Sequence, residues 1–368
     1  MAPQLFQPIT LGPISLKHRV VLAPLTRLKT DANHVPLLPL VKEYYSQRAS
    51  VPGTLEIAES TFIAAKAGGF PNMPGIWSPE QIAAWKEVVE GVHAKGSFIF
   101  LQLLALGRGA YPSVLKAVDP SFEVVSASDI PNAEGGEKPR PLTVAEIAEY
   151  VGLYTQAAKN AMEAGFDGVE IHNANGCLLD QFLQDVSNKR TDAYGGSPEN
   201  RSRFTLEVIK AVADVVGEDR TSIRFSPWSP FSGMGMADPI PTYSHIVSEI
   251  AHLHPTLAYI HLIEPRISAD SDIDSSAQNA GQSNDFIHKL WGARPLISAG
   301  GYTRDTAIAL AERPNTLVAF GRTFIANPDL PLRLEKNIPL HPYDRPTFYL
   351  PGQDAPTGYT DQPFATQA

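Results

Sequence analysis

Residues 165–176 read GFDGVEIHNANG, and this stretch decides the fold. Positions 169–171 resemble a short buried strand, and the chain then enters a loop that presents His172 and Asn175. Two hydrogen-bond donors at the end of one strand can point into one pocket and hold a single carbonyl or nitro oxygen as negative charge develops on it. Taken alone, the pair also fits a structural histidine and a turn-forming asparagine.

Similar short apolar runs recur along the chain, and helical patterns separate them. We predict strands at residues 19–23, 54–59, 98–103, 167–171, 221–225, 257–263, 294–298 and 316–320. Capping residues predict helix starts near Ser78, Thr143, Ser197 and Thr303. Eight strands alternating with helices predict an α/β fold, a (β/α)8 TIM barrel that spans residues 1–368 as a single domain.

Three further features refine this prediction. Residues 5–16 predict a β-hairpin that caps the barrel floor. Two long loops, 107–141 and 268–283, follow the third and sixth strands, and the second reads either as a lid or as a plain surface loop. A doubly wound open sheet is the competing fold, but the chain has no G-x-G-x-x-G turn after its first strand.

Composition narrows the functional class. The chain has 368 residues and a net charge of −9, without a basic run, so a nucleic-acid or membrane partner is not expected. It shows neither the apolar core of a signal peptide nor a run long enough to span a bilayer. Cys177 is the single cysteine, which excludes an internal disulfide and a cysteine-based zinc site. We predict a cytoplasmic monomer or homodimer that acts on a small molecule and uses no metal.

Glycines follow the last two predicted strands. Gly300 and Gly301 come after the seventh, and Gly321 with Arg322 comes after the eighth. Backbone N–H groups of such loops approach an anion closely, and the arginine adds a charged clamp. Because this face of TIM barrels commonly holds phosphate, the pattern predicts a phosphate site, although the glycines also fit tight turns.

Three polar residues complete the predicted site. Gln102 and Arg224 interrupt apolar strands, where an unpaired polar side chain is costly, and Thr26 follows the first strand. Gln102 can pair with an imide edge, Arg224 can stabilise an anionic ring, and Thr26 can donate to a ring carbonyl. Phosphate together with an imide-bearing ring that becomes anionic describes flavin mononucleotide (FMN). A buried structural network is the alternative for Gln102 and Arg224.

Several motifs carry a resemblance over about residues 5–359. They are APLTR at 23–27, YYSQR at 44–48, GFDGVEIHNANG at 165–176, RTDAYGGSPENR at 190–201, and FGR at 320–322 with NPDL at 327–330. The chain resembles the Old Yellow Enzyme family of FMN-dependent ene-reductases, in the style of its fungal and yeast members.

The resemblance implies roles for individual residues. Its implied cofactor contacts are Pro24, Thr26, Ser60, Gln102, Arg224, Gly300, Gly301, Gly321 and Arg322. His172 and Asn175 would bind the activating carbonyl of the substrate, and Tyr359 would line the mouth of the active site. NADPH or NADH would be the hydride donor.

The chain departs from the family pattern at four positions. Cys177 stands where most members carry a tyrosine that protonates the substrate, so Cys177 is a doubtful proton donor and more plausibly fills space. Leu104 replaces a common tryptophan and Phe70 a common tyrosine, which predicts a roomier and more apolar substrate pocket. Ser60 replaces a smaller residue near the flavin.

Three functions remain open at this point. The leading one is an NAD(P)H-dependent ene-reductase acting on activated C=C bonds of enones, enals or nitro compounds. A redox-neutral isomerase or cyclase of a biosynthetic pathway is the alternative, because Cys177 weakens proton delivery. A flavin-binding protein without turnover is the third, and the intact His172 and Asn175 argue against it.

Overall fold

The structure is a computed structural model that describes residues 2–133, 136–268, 271–272, 281–352 and 356–365. Its strands are β1 (Ile9–Leu11), β2 (Ile14–Leu16), β3 (Val20–Leu22), β4 (Leu55–Phe62), β5 (Phe98–Leu104), β6 (Val125–Ser126), β7 (Arg140–Pro141), β8 (Gly168–Asn173), β9 (Thr221–Phe225), β10 (Tyr259–Ile263), β11 (Ile267–Ser268), β12 (Ser271–Asp272), β13 (Leu296–Ala299) and β14 (Thr316–Phe320). Parallel pairing joins β3, β4, β5, β8, β9, β10, β13 and β14 in chain order and closes the ring between β14 and β3. The predicted (β/α)8 barrel and its eight strands are therefore confirmed.

Helices surround this ring. They are α1 (Leu40–Arg48), α2 (Pro79–His93), α3 (Pro112–Val118), α4 (Val144–Glu163), α5 (Leu178–Leu183), α6 (Pro198–Val216), α7 (Ile240–Leu253), α8 (Asp285–Trp291), α9 (Arg304–Ala311), α10 (Arg322–Ala326) and α11 (Leu330–Lys336). The predicted caps are present: the side chains of Ser78, Thr143, Ser197 and Thr303 each accept a backbone N–H from the first turn of their helix. Each cap satisfies an N–H group that the helix itself leaves without a partner.

The N-terminal hairpin closes one end of the barrel. Strands β1 and β2 pair antiparallel, and Leu11 and Leu16 are buried in one apolar cluster with Leu55, Phe100 and Leu317. Because β4, β5 and β14 supply those last three residues near their amino ends, the hairpin fills the floor of the barrel. The cap predicted for residues 5–16 is confirmed, and the opposite end of the barrel is left for the site.

Strand β4 runs further than predicted. Its pairing with β5 shifts between Ala58 and Thr61 and then continues to Phe62. Such an irregularity bends a strand and re-aims its side chains. The shift brings Ser60 to the carboxyl end of the barrel, where it lines a cavity.

The long loops on the same face differ in how far they are described. Loop 107–141 contains a 3-10 turn at Gly107–Gly109, helix α3, and strands β6 and β7, which pair with each other. Most of loop 268–283, for which a lid and a plain surface loop were both open, lies outside the described residues. None of the helices in the described part of the chain has the length and apolarity that crossing a membrane requires.

Candidate active site

A cavity of about 860 Å³ opens at the carboxyl ends of the barrel strands. Its size falls in the usual range of small-molecule sites. The predicted site residues that line it are Pro24, Thr26, Ser60, Phe70, Leu104, His172, Asn175, Cys177, Arg224, Gly300, Gly301, Gly321 and Arg322. Residues far apart in sequence meet here because parallel strands present their carboxyl ends at one face of the barrel.

His172 lies near the end of β8 and Asn175 in the turn that follows, and both line this cavity. His172 is the inward residue opposite Arg224 of β9, and it is almost completely buried. Burial, followed by repulsion from Arg224, lowers the pKa of His172 to about 3, so the imidazole is neutral near pH 7. Within the described chain, Nδ1 of His172 and Oδ1 of Asn175 are buried without a hydrogen-bond partner. These two atoms are therefore available to form hydrogen bonds with a ligand.

The backbone holds Asn175 in a turn that presents its side chain. Asn175 and Gly176 have φ values of 55° and 73°, in the left-handed region that Asn and Gly tolerate best. The Asn175 N–H donates to Ser226 Oγ at 2.8 Å, and the Gly176 N–H donates to Asp180 Oδ2 at 2.9 Å. These two hydrogen bonds anchor the turn to Ser226 and Asp180, and they stabilise its left-handed backbone conformation.

Cys177 lies in an apolar cluster of the cavity wall. It packs with Phe62, Met73 and Leu104, and Phe70 lies against the same cluster. Burial, followed by repulsion from Asp180, raises the pKa of the thiol well above its ordinary value. The side chain is therefore a protonated thiol in apolar surroundings, as expected for a residue that fills space.

Glycines form a cradle at the other end of the cavity. A Cβ on Gly300 would lie 2.5 Å from Glu264 Cβ, and one on Gly321 would lie 3.0 Å from a methyl carbon of Leu25. Gly301 has a φ of 65°. Next to them, the Arg322 guanidinium lies 5.6 Å from the centre of the Tyr343 ring. Close backbone approach beside a guanidinium is the arrangement that binds phosphate.

The structure places Gln102 below the cavity rather than in its wall. Gln102 is fully buried; its Nε2 donates to Glu170 Oε1 at 2.7 Å, and its Oε1 accepts from the Ser60 hydroxyl. Within the protein, Gln102 therefore belongs to a buried polar network, which was the alternative to a cofactor contact. Ser60 is the member of this network that reaches the cavity.

Tyr359 is also placed differently from the expectation. It is fully buried and absent from the cavity lining, stacked on Tyr44 with 4.2 Å between ring centres. The Arg27 guanidinium lies 4.9 Å from the centre of the Tyr359 ring and donates to Gly358 O at 2.7 Å. Tyr359 thus fastens the C-terminal segment to the barrel, and the nearby Tyr343, Phe348 and Tyr349 line the cavity instead.

Two residues that join the loops around the cavity were not predicted from the sequence. The Arg108 guanidinium donates to Ser232 O at 2.9 Å and to Gly233 O at 3.1 Å, which joins loop 107–141 to the loop after β9. Gln181 donates to Gly176 O at 2.6 Å and accepts from the Arg108 N–H at 3.1 Å. The sequence singles out neither residue, apart from the position of Arg108 between Gly107 and Gly109.

The cavity fits FMN on its own features. Among the described residues that line it, several have buried polar atoms without a hydrogen-bond partner, and Nε of Arg224 is one of these atoms. Arg224 would supply a positive charge to the ring, and Gly300, Gly301, Gly321 and Arg322 would hold the phosphate. Buried donors of this kind are costly unless a ligand satisfies them.

Comparisons with known proteins agree with this geometry. NADP-dependent oxidoreductase lnbE of Aspergillus flavus is 49% identical, covering 100% of this chain and 98% of that protein. Chanoclavine-I aldehyde reductase fgaOx3 of Penicillium roqueforti is 49% identical, covering 99% and 97%. A protein of Epichloe festucae var. lolii named probable inactive reductase easA is 48% identical, covering 99% and 96%.

Among solved structures, the Old Yellow Enzyme of Pichia sp. AKU4542 superposes with a TM-score of 0.89 at 37% identity, covering 100% of this chain and 95% of that one. The family model of the NADH:flavin oxidoreductase / NADH oxidase family matches residues 4–341. The prediction of FMN with a nicotinamide hydride donor is confirmed by this match. The chain belongs to the NADH:flavin oxidoreductase / NADH oxidase family.

Proposed function

We propose that this protein is an NAD(P)H-dependent, FMN-using reductase of activated C=C bonds in α,β-unsaturated aldehydes, ketones or nitro compounds. The observation that carries the proposal is the pair His172 and Asn175, which face one cavity with uncommitted polar atoms. When bound, FMN supplies hydride transfer from the nicotinamide to the β-carbon of the substrate. An aldehyde at the activating position accords with the name of the Penicillium roqueforti relative.

The chain's own residues activate the substrate. His172 is neutral, so it donates an imidazole N–H to the carbonyl oxygen without bringing a second full charge close to Arg224. The Asn175 amide donates from the adjoining turn. As the β-carbon gains hydride, negative charge moves onto this oxygen, and two preorganised donors stabilise it. The apolar wall formed by Phe70, Leu104 and Tyr111 receives the hydrocarbon body of the substrate.

A two-stage anaerobic experiment tests this function. Purified protein should be reduced by NADPH and then reoxidised by an enal or an enone such as cinnamaldehyde or cyclohexenone, with a product that has gained two hydrogens. The saturated aldehyde is the matched control and should not reoxidise it. Reduction by NADPH without reoxidation by any member of an enal, enone and nitroalkene panel would refute the proposal.

The second candidate is a redox-neutral isomerase or cyclase on the same scaffold. Cys177 favours it, because a buried thiol with a raised pKa is a poor proton donor to the α-carbon. Slow protonation leaves the enolate more time for other fates. A product with the mass of the substrate, formed without net NADPH consumption, would identify this reaction.

Substitution of Cys177 examines the proton source directly. Cys177→Ala should change the rate of enone reduction by less than about threefold, since the residue fills space in an apolar cluster. Cys177→Tyr should give a modest gain or none, because the ring must fit beside Phe70 and Leu104. Both rates and their solvent isotope effects are measured for the reoxidation step alone.

Met73→Leu is the control for altered packing in the same cluster. A collapse of reoxidation by enone in Cys177→Ala, with reduction by NADPH intact and Met73→Leu normal, would make Cys177 the proton donor.

A further inference from the structure

A layer of polar side chains lies inside the barrel beneath the cavity. In the strand register, Gln102 of β5 is opposite Glu170 of β8, and His261 of β10 is opposite Arg224 of β9. Gln102, Glu170 and His261 are fully buried. Arg224 is the member of this layer that also lines the cavity.

Glu170 is the centre of the layer. Its Oε1 accepts from Gln102 at 2.7 Å, and its Oε2 lies 2.9 Å from Nδ1 of His261. The Ser60 hydroxyl donates to the same Gln102, so an unbroken chain of hydrogen bonds connects the cavity wall to Glu170. A buried carboxylate keeps its charge only when such partners surround it.

The charges in the layer balance. Burial opposes ionisation of Glu170, but its interaction with His261, the attraction of Arg224 and the hydrogen bond from Gln102 outweigh it, so the pKa of Glu170 lies below its ordinary value. Burial lowers the pKa of His261, which is therefore neutral. One carboxylate and one guanidinium thus interact electrostatically, and Arg224 presents a partly compensated charge to the cavity.

We propose that Glu170 is a positioning residue for the redox chemistry, because its buried carboxylate offsets Arg224 and so keeps the midpoint potential of bound FMN lower than Arg224 alone would set it. Reduction would add negative charge to the flavin ring, and uncompensated positive charge in the cavity would favour the reduced form. The inference rests on the FMN site and does not depend on whether enones are the substrates.

The test is the midpoint potential of the FMN-loaded protein, measured by anaerobic equilibration with a reference dye. Glu170→Gln removes the charge and keeps the shape. At a fixed dye potential, it should raise the ratio of reduced to oxidised flavin on the order of tenfold. Glu170→Asp keeps the charge and should stay close to the parent protein.

Glu56 provides a matched control. It is fully buried on β4, neither of its oxygens has a hydrogen-bond partner within the described residues, and burial raises its pKa well above the ordinary value, which favours the uncharged form. Glu56→Gln therefore makes the same substitution at a buried position that does not interact with Arg224, and the potential should not move.

If the Glu170→Gln protein does not fold, two further variants test whether loss of the Glu170 charge raises the midpoint potential. The double variant Glu170→Gln with His261→Gln restores a donor for every acceptor and carries the same loss of charge, so it should show the same rise. His261→Gln alone should not. An unchanged potential in the charge-removing variants, or an equal shift in Glu170→Asp or His261→Gln, would overturn the proposal. A shift in protein that no member of the enal, enone and nitroalkene panel reoxidises would support it and refute the proposed substrate class.

Discussion

Replacing His172 and Asn175 together by alanine should lower the rate of enone reduction by about a hundredfold or more, because a lost preorganised donor to a developing oxyanion costs about that much. FMN content and reduction by NADPH should remain largely intact, since neither residue belongs to the glycine cradle. Stopped-flow measurement of the two half-reactions separates these effects.

A surface histidine provides the control. His93 ends α2 outside the barrel, and its Nε2 lies 3.0 Å from Asp167 Oδ2. His93→Ala should leave both half-reactions close to the parent rates. Near-parental reduction of cyclic enones by the double variant would contradict the proposed role of the pair. Loss of FMN as its sole defect would show that the pair is structural.

The second large effect concerns cofactor retention. Purified protein should be yellow and release FMN on heating, and Gly300→Val should strip it of FMN. A side chain at this position must displace Glu264, whose Cβ would lie 2.5 Å from the added carbon. Arg322→Gln should weaken FMN binding on the order of ten- to a hundredfold, as expected for the loss of a charge-assisted bond. Flavin fluorescence during titration of the FMN-free protein measures both.

A glycine elsewhere in the fold separates cofactor loss from misfolding. Gly152 lies within α4, where an added Cβ would meet nothing within 4 Å. Gly152→Ala should retain FMN and raise stability by about 1 kcal/mol, since alanine is the better helix former. Parent protein that is colourless and cannot be reconstituted with FMN would refute the cofactor assignment for this cavity.

The barrel was predictable because its signals are local. Strands covered on both faces are continuous apolar runs, and their number and alternation with capped helices specify the closed ring. Residues at strand ends, such as His172, Arg224 and Gly300, could be assigned to one face because parallel strands all end there. The extension of β4 was missed, since a shift in pairing leaves no periodic mark.

Local sequence patterns could not predict which way side chains point inside the barrel. Whether Gln102 meets a ligand or Glu170 depends on the register of β5 against β8, and that register is set by closure of the whole ring. Tyr359 stacks on Tyr44 because the C-terminal segment returns to helix α1, next to Arg27 in the loop after β3. Contacts between residues hundreds of positions apart have no signature within a sequence window.

The sequence by itself determined the barrel, the face that carries the site, and the residue types that meet there, because each follows from short-range patterning and from the common direction of parallel strands. Only the tertiary structure decided which side chains reach the cavity. It buried Gln102, removed Tyr359 from the rim and placed Arg108 between two loops. It also set the neutral state of His172, since desolvation and the nearness of Arg224 exist only after the chain has packed.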